Sequence, residues 1–318
     1  MATAAFIFPG QGSQASGMGS DVAAHFPESR KCFELASKVL GYDLLERVRT
    51  ASEEELKETR LSQPAIFTAN VAIYRAVATL GLQPVATAGH SFGEYCSLEI
   101  AAAMDFSEAV RVVNERGLAM GEASDRAPGA MAAIIGMEEQ AVDGVCRQAR
   151  EQTGARVDIG NLNTLTQIVI SGDVAGVEAA CEIAKEVGAK RVRMLNVSGA
   201  WHSSLMEPAM PRFAHAVEQA HVRMPAFTVM SNVFARPYRS VEEIKEALIA
   251  SLCSRVRWHE AAVALLALRP DVVIECGASE VLAPMVKRLP DLGATRVMHV
   301  ADVAGLESAR SALGSSAA

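Results

Sequence analysis

Several features are missing from the 318-residue sequence, and each absence excludes a class of protein. No Cys-x-x-Cys pair and no metal-ligand spacing occur, and the six cysteines are scattered, which favours free thiols in a reducing compartment. No apolar run reaches the ~18 residues of a membrane span, and no cationic segment precedes the first apolar run. The formal net charge of -7 argues against nucleic acid, which attracts clustered Lys and Arg. We expect a cytoplasmic protein with no metal, membrane or nucleic-acid partner.

The most informative pattern present is a Gly-x-Ser-x-Gly pentapeptide, residues 89–93. It lies between an apolar run, 85–88, and a helix-prone stretch, 94–104. This order is typical of a nucleophile elbow, whose glycines allow a very tight turn that exposes a serine hydroxyl above a sheet. Ser91 is therefore the predicted nucleophile. The backbone N–H of Phe92, at the positive end of the next helix, is a predicted arm of an oxyanion hole.

Buried strands alternate with helices over most of the chain, which predicts a parallel α/β sheet. Between about 128 and 198 the predicted order changes to β-α-β-β-α-β, the order of a ferredoxin-like unit. Pro128-Gly129 and Ser198-Gly199 are the predicted crossing points. We expect an α/β-hydrolase-like large domain, residues 1–127 and 199–318, with a ferredoxin-like small domain, residues 128–198, inserted into it.

A histidine should act as the base for Ser91, because a serine hydroxyl is a poor nucleophile until its proton is removed. His202 is the strongest candidate, since it lies in a loop at the exit from the small domain. His90 adjoins Ser91, but on a tight turn its side chain should point elsewhere. Asp158 and Asp173, which fall between Ser91 and His202 as in a hydrolase triad, belong to the small domain. We therefore expect a Ser-His dyad oriented by a backbone carbonyl.

An ordered set of segments resembles the malonyl-CoA:acyl carrier protein transacylases and the acyltransferase domains of polyketide synthases. The resemblance runs from residue 5 to about 290 and is more specific than any one motif. Its segments are 8–14 (FPGQGSQ), 63–65 (QPA), 89–94 (GHSFGE), 114–117 (NERG), 199–206 (GAWHSSLM) and 256–258 (VRW). It implies an acyltransferase that moves a malonyl group from malonyl-CoA to the phosphopantetheine thiol of a carrier protein, with no permanently bound cofactor.

The resemblance also implies roles for reacting groups. Ser91 would be the nucleophile and His202 the general base and later acid. The backbone N–H groups of Gln11 and Phe92 would form the oxyanion hole.

Three further residues are assigned by the resemblance. Arg116 would pair with the free carboxylate of the malonyl group, which agrees with the two-pronged geometry of a guanidinium. Gln63 would line the acyl pocket, and the backbone carbonyl of Arg257 would orient the histidine ring. Arg255 stands where relatives commonly have Pro, so a shifted loop there would loosen His202.

Two aromatic residues depart from the family pattern beside the acyl group. Phe92 replaces an aliphatic residue, and Trp201 stands where many relatives have Phe or Ser. Two large rings would crowd a branch at the α-carbon, so we expect malonyl to be preferred over methylmalonyl, although one methyl gives only ~1–3 kcal/mol of discrimination.

A carrier protein, typically acidic, would need a basic patch on this acidic chain. The candidate docking residues are Lys190, Arg191, Arg193, Lys287 and Arg288. An acyl hydrolase acting on carrier proteins, with the same Ser-His dyad, is the alternative; it would not need Arg116. A non-catalytic scaffold is a third hypothesis. The sequence does not distinguish fatty acid from polyketide synthesis.

Overall fold

The computed structural model describes residues 2–197 and 199–314, and in these ranges the chain forms two separate sheets. The strands are β1 (Thr3–Phe8), β2 (Gln83–Gly89), β3 (Gly129–Ile135), β4 (Val157–Thr164), β5 (Gln167–Asp173), β6 (Arg191–Met194), β7 (Thr228–Met230), β8 (Val272–Cys276) and β9 (Arg296–Val300).

Helices connect these strands and cover both sheets. They are α1 (Ser20–His25), α2 (Pro27–Leu40), α3 (Leu44–Thr50), α4 (Glu53–Lys57), α5 (Thr59–Val77), α6 (Gly93–Ile100), α7 (Phe106–Arg126), α8 (Glu139–Thr153), α9 (Val174–Glu186), α10 (Met210–Gln219), α11 (Val241–Ala250), α12 (Trp258–Leu266), α13 (Ala283–Val286) and α14 (Val303–Gly314). Short 3-10 turns occupy Ala78–Leu80, Ser204–Ala209 and Pro290–Leu292.

The larger sheet is entirely parallel, in the order β7-β2-β1-β8-β9. Its central strand β1 is apolar along nearly its whole length because helices cover both faces. The carboxyl ends of β1, β2 and β7 lie side by side at one edge, the usual place for a ligand site in such sheets. The loops that carry Gln11, Ser91 and Asn232 leave the sheet at this edge.

The smaller sheet is antiparallel, in the order β4-β5-β3-β6. Ala132, Ile134 and Ile170 face its helices α8 and α9, whereas Met131 and Ala133 face the large core. The expected α/β class, with a parallel core and a βαββαβ unit, is confirmed. The domain limits at 128 and 198 remain our proposal, and one proposed crossing residue, Ser198, lies outside the described residues.

Some elements differ from the sequence prediction. The last strand of the predicted β-α-β-β-α-β unit, β6, is only four residues long and lies at a sheet edge. Helix α3, strand β9 and helix α14 were not predicted. β9 is half-exposed along most of its length because it is the outer strand of the larger sheet, so it lacks the continuous apolar run of a buried strand.

A short backbone junction joins the two sheets. Val256 forms a parallel bridge with Asn161 of β4, donating its N–H to Gly160 at 2.8 Å and accepting from Leu162 at 2.8 Å. Beside it, Arg255 pairs with Glu139 at the start of α8. The segment around Val256 therefore covers the outer edge of β4.

No helix in the described ranges is long and apolar enough to cross a bilayer. All six cysteines are free thiols. The cytoplasmic location stays a prediction.

Candidate active site

The Gly-x-Ser-x-Gly pentapeptide forms a sharp turn between β2 and α6. Ser91 has a φ of 53°, in the left-handed region that is unfavourable for a residue with a Cβ atom. A Cβ atom on Gly89 would lie 1.9 Å from the carbonyl carbon of Gly93, so no larger residue fits there. Backbone strain of this kind persists only where the surroundings enforce it, and it is concentrated at functional sites. The turn places Ser91 in the wall of a cavity.

His202 meets Ser91 from the loop that follows the small sheet. Its Nε2 atom lies 2.8 Å from Ser91 Oγ, and its Nδ1 atom lies 2.8 Å from the carbonyl oxygen of Ser251 and 3.2 Å from that of Ser254. Because a carbonyl only accepts, Nδ1 carries the proton, and Nε2 is left as the acceptor for the serine hydroxyl. Burial, followed by the positive charge of Arg116, lowers the pKa of His202 to about 3. The ring is therefore neutral at physiological pH and available as a base.

The expectation that the Arg257 carbonyl orients His202 is wrong. That carbonyl accepts from the N–H of Ala261 at 3.0 Å in the first turn of α12. Ser251 directly follows α11 and Ser254 lies in the turn after it, where carbonyls at the end of a helix lack partners within the helix. The negative end of that helix also favours a cationic ring during catalysis.

Arg116 extends from α7 toward Ser91 and is only 1% exposed. Its Nη1 donates to Gln63 Oε1 at 2.9 Å and its Nη2 to Ser91 Oγ at 3.4 Å, whereas Nε has no partner among the described residues. Burial lowers the pKa of the guanidinium. Within the described ranges no carboxylate lies within 4.0 Å of it. A buried cation without an ion-pair partner is costly, so the site favours an anionic ligand.

Gln63 lies behind Arg116 rather than in the cavity wall, which corrects the expectation that it lines the acyl pocket. It is fully buried, and its Nε2 donates to Thr59 Oγ1 at 2.8 Å. The hydroxyl of Thr59 in turn lies 3.4 Å from Gln11 Oε1. These side-chain contacts connect the Arg116 guanidinium, through two residues of α5, to the loop that carries Gln11.

Two backbone N–H groups in the segments that form the Ser91 turn and pack against it have no protein acceptor among the described residues. One belongs to Phe92, which begins the turn into α6, and the other to Gln11. A Cβ atom on Gly10 would lie 2.6 Å from the His90 carbonyl oxygen, so the Gln11 loop packs directly against the elbow. Free backbone amides of this kind are the donors that stabilise an oxyanion.

The structure separates the two aromatic residues that the sequence placed beside the acyl group. Trp201 lines the cavity, but the Phe92 ring packs in the core of the larger sheet. The expectation that Phe92 crowds the acyl group is therefore wrong. The residue already has helical backbone angles, φ -69° and ψ -9°, and its side chain is directed inward with those of α6.

The other groups considered in the sequence do not contact the dyad. His90 Nε2 bonds to Asn163 Oδ1 at 2.8 Å. Asp158 pairs with Arg150, and Asp173 pairs with Arg156. In the described part of the chain, the His202 ring bonds only to Ser91 and to backbone carbonyls.

A cavity of about 220 Å³ lies between the two sheets, with Ser91, His202 and Arg116 in its wall. Most of the remaining lining is apolar, and much of it comes from α7, the small sheet and the segment that follows β6: Met120, Met131, Ala133, Val169, Leu195 and Val197. No group of three or more His, Cys, Asp or Glu residues in the described ranges could hold a metal ion. The site thus brings together a serine hydroxyl, a neutral imidazole, two backbone N–H groups and a buried guanidinium.

Sequence reasoning missed Ser251, Ser254 and Asn232, all of which contact the dyad. The two serines act through backbone carbonyls, so their side chains give no signal; only the end of α11 could have pointed to them. Asn232 follows β7 and bonds to the backbone of Ser91.

The chain is similar to known acyl transferases over almost its whole length. The model of the acyl transferase domain family matches residues 5–306. The malonyl CoA-acyl carrier protein transacylase of Haemophilus influenzae is 39% identical over 306 residues, which cover 96% of this chain and 97% of that protein.

Solved structures give the same result. The malonyl CoA-acyl carrier protein transacylase of Coxiella burnetii superimposes with a TM-score of 0.91 at 36% identity, covering 98% of this chain and 97% of that one. A malonyl-transacylase in complex with its type II polyketide synthase acyl carrier protein has a TM-score of 0.91 at 38% identity, covering 98% and 100%. The resemblance inferred from the short segments is confirmed.

Proposed function

Because the chain belongs to the acyl transferase domain family, we propose that it moves a malonyl group from malonyl-CoA to the phosphopantetheine thiol of an acyl carrier protein through an ester on Ser91. The observation that carries this proposal is the buried guanidinium of Arg116, which lies beside the Ser91 hydroxyl and has no carboxylate among the described residues as an ion-pair partner. A malonyl thioester presents a free carboxylate close to its reacting carbonyl, and this pair of groups matches the spacing of Arg116 and Ser91.

In the first half-reaction, Ser91 Oγ attacks the thioester carbonyl while His202 Nε2 takes the hydroxyl proton. The N–H groups of Gln11 and Phe92 bind the oxyanion of the tetrahedral intermediate. The C–S bond then breaks, and His202 returns the proton to the departing CoA sulfur. The products are free CoA and malonyl-Ser91.

In the second half-reaction, the thiol of the carrier's phosphopantetheine arm gives its proton to His202 and attacks the ester carbonyl of malonyl-Ser91. The same two amides bind the second oxyanion. Collapse of this intermediate returns the proton to Ser91 Oγ and leaves the malonyl group on the carrier as a thioester. The two half-reactions share one site, so ping-pong kinetics should follow.

Arg116 holds the malonyl carboxylate during both steps by charge-assisted hydrogen bonds. Its Gln63 contact fixes the plane of the guanidinium, and Nε and Nη2 remain to donate to the two carboxylate oxygens. Trp201 borders the space beside the acyl group, so an α-methyl branch should fit less well than malonyl. This preference now depends on Trp201 alone.

The carrier would dock on the cavity face of the small sheet. Arg193 pairs in register with Ala133, and Ala133 pairs with Val169, so Arg193 lies on the same face as two residues of the cavity wall. Arg191 extends this face by one residue pair, and Lys190 precedes it. All three are exposed and, in the described ranges, form no ion pair.

Lys287 and Arg288, also exposed, directly follow α13 and complete the proposed docking surface. They closely follow Met285, which lines the cavity, but Lys287 is already paired with Glu280 at 2.8 Å. An acidic carrier on this surface would be attracted to the cavity mouth.

Mass spectrometry of the intact protein tests the proposal. Mixed with malonyl-CoA, the wild type should gain one malonyl group on Ser91, and Ser91→Ala should gain none. Addition of a holo carrier protein should then transfer the group to the carrier. Release of free malonate at a higher rate than transfer would favour the acyl hydrolase instead, and absence of any adduct would contradict both enzymes.

A further inference from the structure

We propose that Asn232 is a positioning residue that holds Ser91 in its reactive conformation, an inference that rests on the proposed function of Ser91. The side-chain amide of Asn232 contacts both backbone groups of Ser91. Its Oδ1 accepts from the Ser91 N–H at 3.2 Å, and its Nδ2 donates to the Ser91 carbonyl at 3.3 Å. The Asn232 side chain therefore forms the same pair of hydrogen bonds with Ser91 that a neighbouring β-strand forms with a residue opposite it.

The Asn232 amide contacts the residue of the elbow whose backbone conformation is the most strained. Ser91 adopts a left-handed backbone conformation, in which a residue with a Cβ atom is unfavourable. The turn leaves its N–H and C=O outside the ladder of β2, although its carbonyl also accepts from Glu94 N at 3.1 Å. The Asn232 amide satisfies the N–H and reinforces the carbonyl, which keeps Oγ directed at His202 Nε2.

Asn232 is itself held firmly. It is 3% exposed, its N–H donates to Glu94 Oε1 at 2.9 Å, and its carbonyl accepts from the Arg257 N–H at 3.0 Å. Glu94 Oε1 also accepts from the Tyr238 hydroxyl at 2.6 Å. Glu94 lies in the first turn of α6, immediately after the elbow. The network thus ties the end of β7, the elbow and the start of α12 together.

The proposal differs from a merely structural role in a measurable way. A residue that positions the nucleophile affects the reaction of Ser91 with every acyl donor equally. Arg116, in contrast, acts only on donors with a free carboxylate. Loss of the Asn232 amide should therefore lower the rate of Ser91 acylation by malonyl-CoA and by acetyl-CoA by the same factor.

Asn232→Ala is the direct test, and Ser231→Ala is its matched control. Ser231 is equally buried in the same loop and accepts from the N–H groups of Val233 and Phe234, but it does not contact Ser91. We expect N232A to slow acylation by on the order of 10- to 100-fold for both donors, as a misplaced reacting group does. The KM for malonyl-CoA should stay near that of S231A. Equal rates in the two variants, or a loss confined to malonyl-CoA, would overturn the proposal.

Asn232→Asp is a second, isosteric test should N232A fold poorly. Asp keeps an acceptor for the Ser91 N–H but can donate to the Ser91 carbonyl only when protonated. Glu94 and Tyr238 share the network at this position, and Arg116 and His202 face Ser91 Oγ.

The rate of N232D relative to wild type should rise as the pH is lowered from 8 toward 5, because protonation of the Asp carboxyl restores a donor to the Ser91 carbonyl. Wild-type His202 stays neutral over this range, since burial and the charge of Arg116 lower its pKa to about 3. A ratio independent of pH would contradict the positioning role. If wild type itself forms no acyl-Ser91, the proposed function fails, and the failure is not one of Asn232.

Discussion

The Nδ1–H group of His202 donates to the backbone oxygen of Ser251 at 2.8 Å, and no carboxylate in the described ranges takes this place. A carboxylate there would raise the pKa of the imidazole by attraction, whereas a neutral carbonyl does so only weakly. Burial and the charge of Arg116 dominate and lower the pKa of His202 to about 3. The imidazole is thus neutral at physiological pH, which is the form that the proposed mechanism uses as a base.

The first prediction concerns the pH dependence of acylation. A lowered pKa means that protonation of His202, which would abolish the base, begins only well below the pKa of a free histidine, near 6.5. We expect kcat/KM for malonyl-CoA to be flat from roughly pH 5 to 8, with no loss near 6.5. Stopped-flow measurement of CoA release gives this profile. An acid limb centred near 6.5 would show that the histidine is solvated rather than buried.

The second prediction concerns donor selection by Arg116. Replacement by Ala removes charge-assisted hydrogen bonds worth ~1.5–3 kcal/mol each, so kcat/KM for malonyl-CoA should fall by at least about 10- to 100-fold. Acetyl-CoA has no carboxylate, and its turnover should fall much less. Arg116→Lys keeps the charge but not the two-pronged geometry and should lie between. The ratio of kcat/KM for malonyl-CoA to that for acetyl-CoA, measured in competition, tests this prediction. An unchanged ratio in the variants would show that Arg116 does not bind the malonyl carboxylate.

The third prediction tests the corrected positions of Trp201 and Phe92. Trp201→Ala opens the cavity beside the acyl group and should raise the preference for methylmalonyl-CoA relative to malonyl-CoA by roughly 1–3 kcal/mol, about 10- to 200-fold. Phe92→Leu is the matched control, since its ring lies in the core; it should cost stability and leave the donor ratio unchanged. A ratio that moves in F92L and not in W201A would reverse the assignment.

The fourth prediction concerns carrier docking. Arg191→Glu with Arg193→Glu should raise KM for the carrier protein several-fold, more at low than at high ionic strength, and leave KM for malonyl-CoA unchanged. Arg147→Glu with Lys185→Glu makes the same charge change on the helices that cover the opposite face of the small sheet. Equal effects of the two double variants would indicate only long-range repulsion of an acidic carrier.

The fifth prediction concerns the elbow itself. Gly89→Ala would bring a Cβ atom to 1.9 Å from the backbone of Gly93, so we expect a large loss of thermal stability together with activity. Gly144→Ala, in the interior of α8, meets nothing nearer than 3.9 Å and should stabilise the protein by about 1 kcal/mol. Thermal unfolding of the two variants measures both effects. Similar midpoints for both would mean that the elbow can open to accept the methyl group.

The sequence predicts those parts of the site that depend on local geometry. The glycines around Ser91 demand a particular turn, and the buried runs on either side identify its strand and helix. The parts that it does not predict depend on distant backbone. The carbonyls of Ser251 and Ser254 reach His202 only because α11 ends beside it, and Asn232 reaches Ser91 only because β7 pairs with β2.

The errors have a similar origin. Trp201 and Phe92 both adjoin a residue of the Ser91-His202 pair in sequence, but only the structure decides which ring faces the cavity. The family motif predicts that the Arg257 carbonyl orients His202, but that carbonyl accepts from a backbone N–H in the first turn of α12. Proximity along the chain identifies the neighbourhood of a site and leaves side-chain direction undetermined.

The bridge between Asn161 and Val256 has a consequence for engineering this scaffold. The segment around Val256, which covers the outer edge of β4, directly follows the turn whose carbonyl oxygens accept from His202 Nδ1. In a chimera that exchanged only residues 128–198 for those of another transferase, a foreign β4 would pair with the native segment around Val256. A change in that pairing would shift the neighbouring carbonyls and so displace the His202 ring. A transplanted small domain should therefore be accompanied by its own residues 251–257.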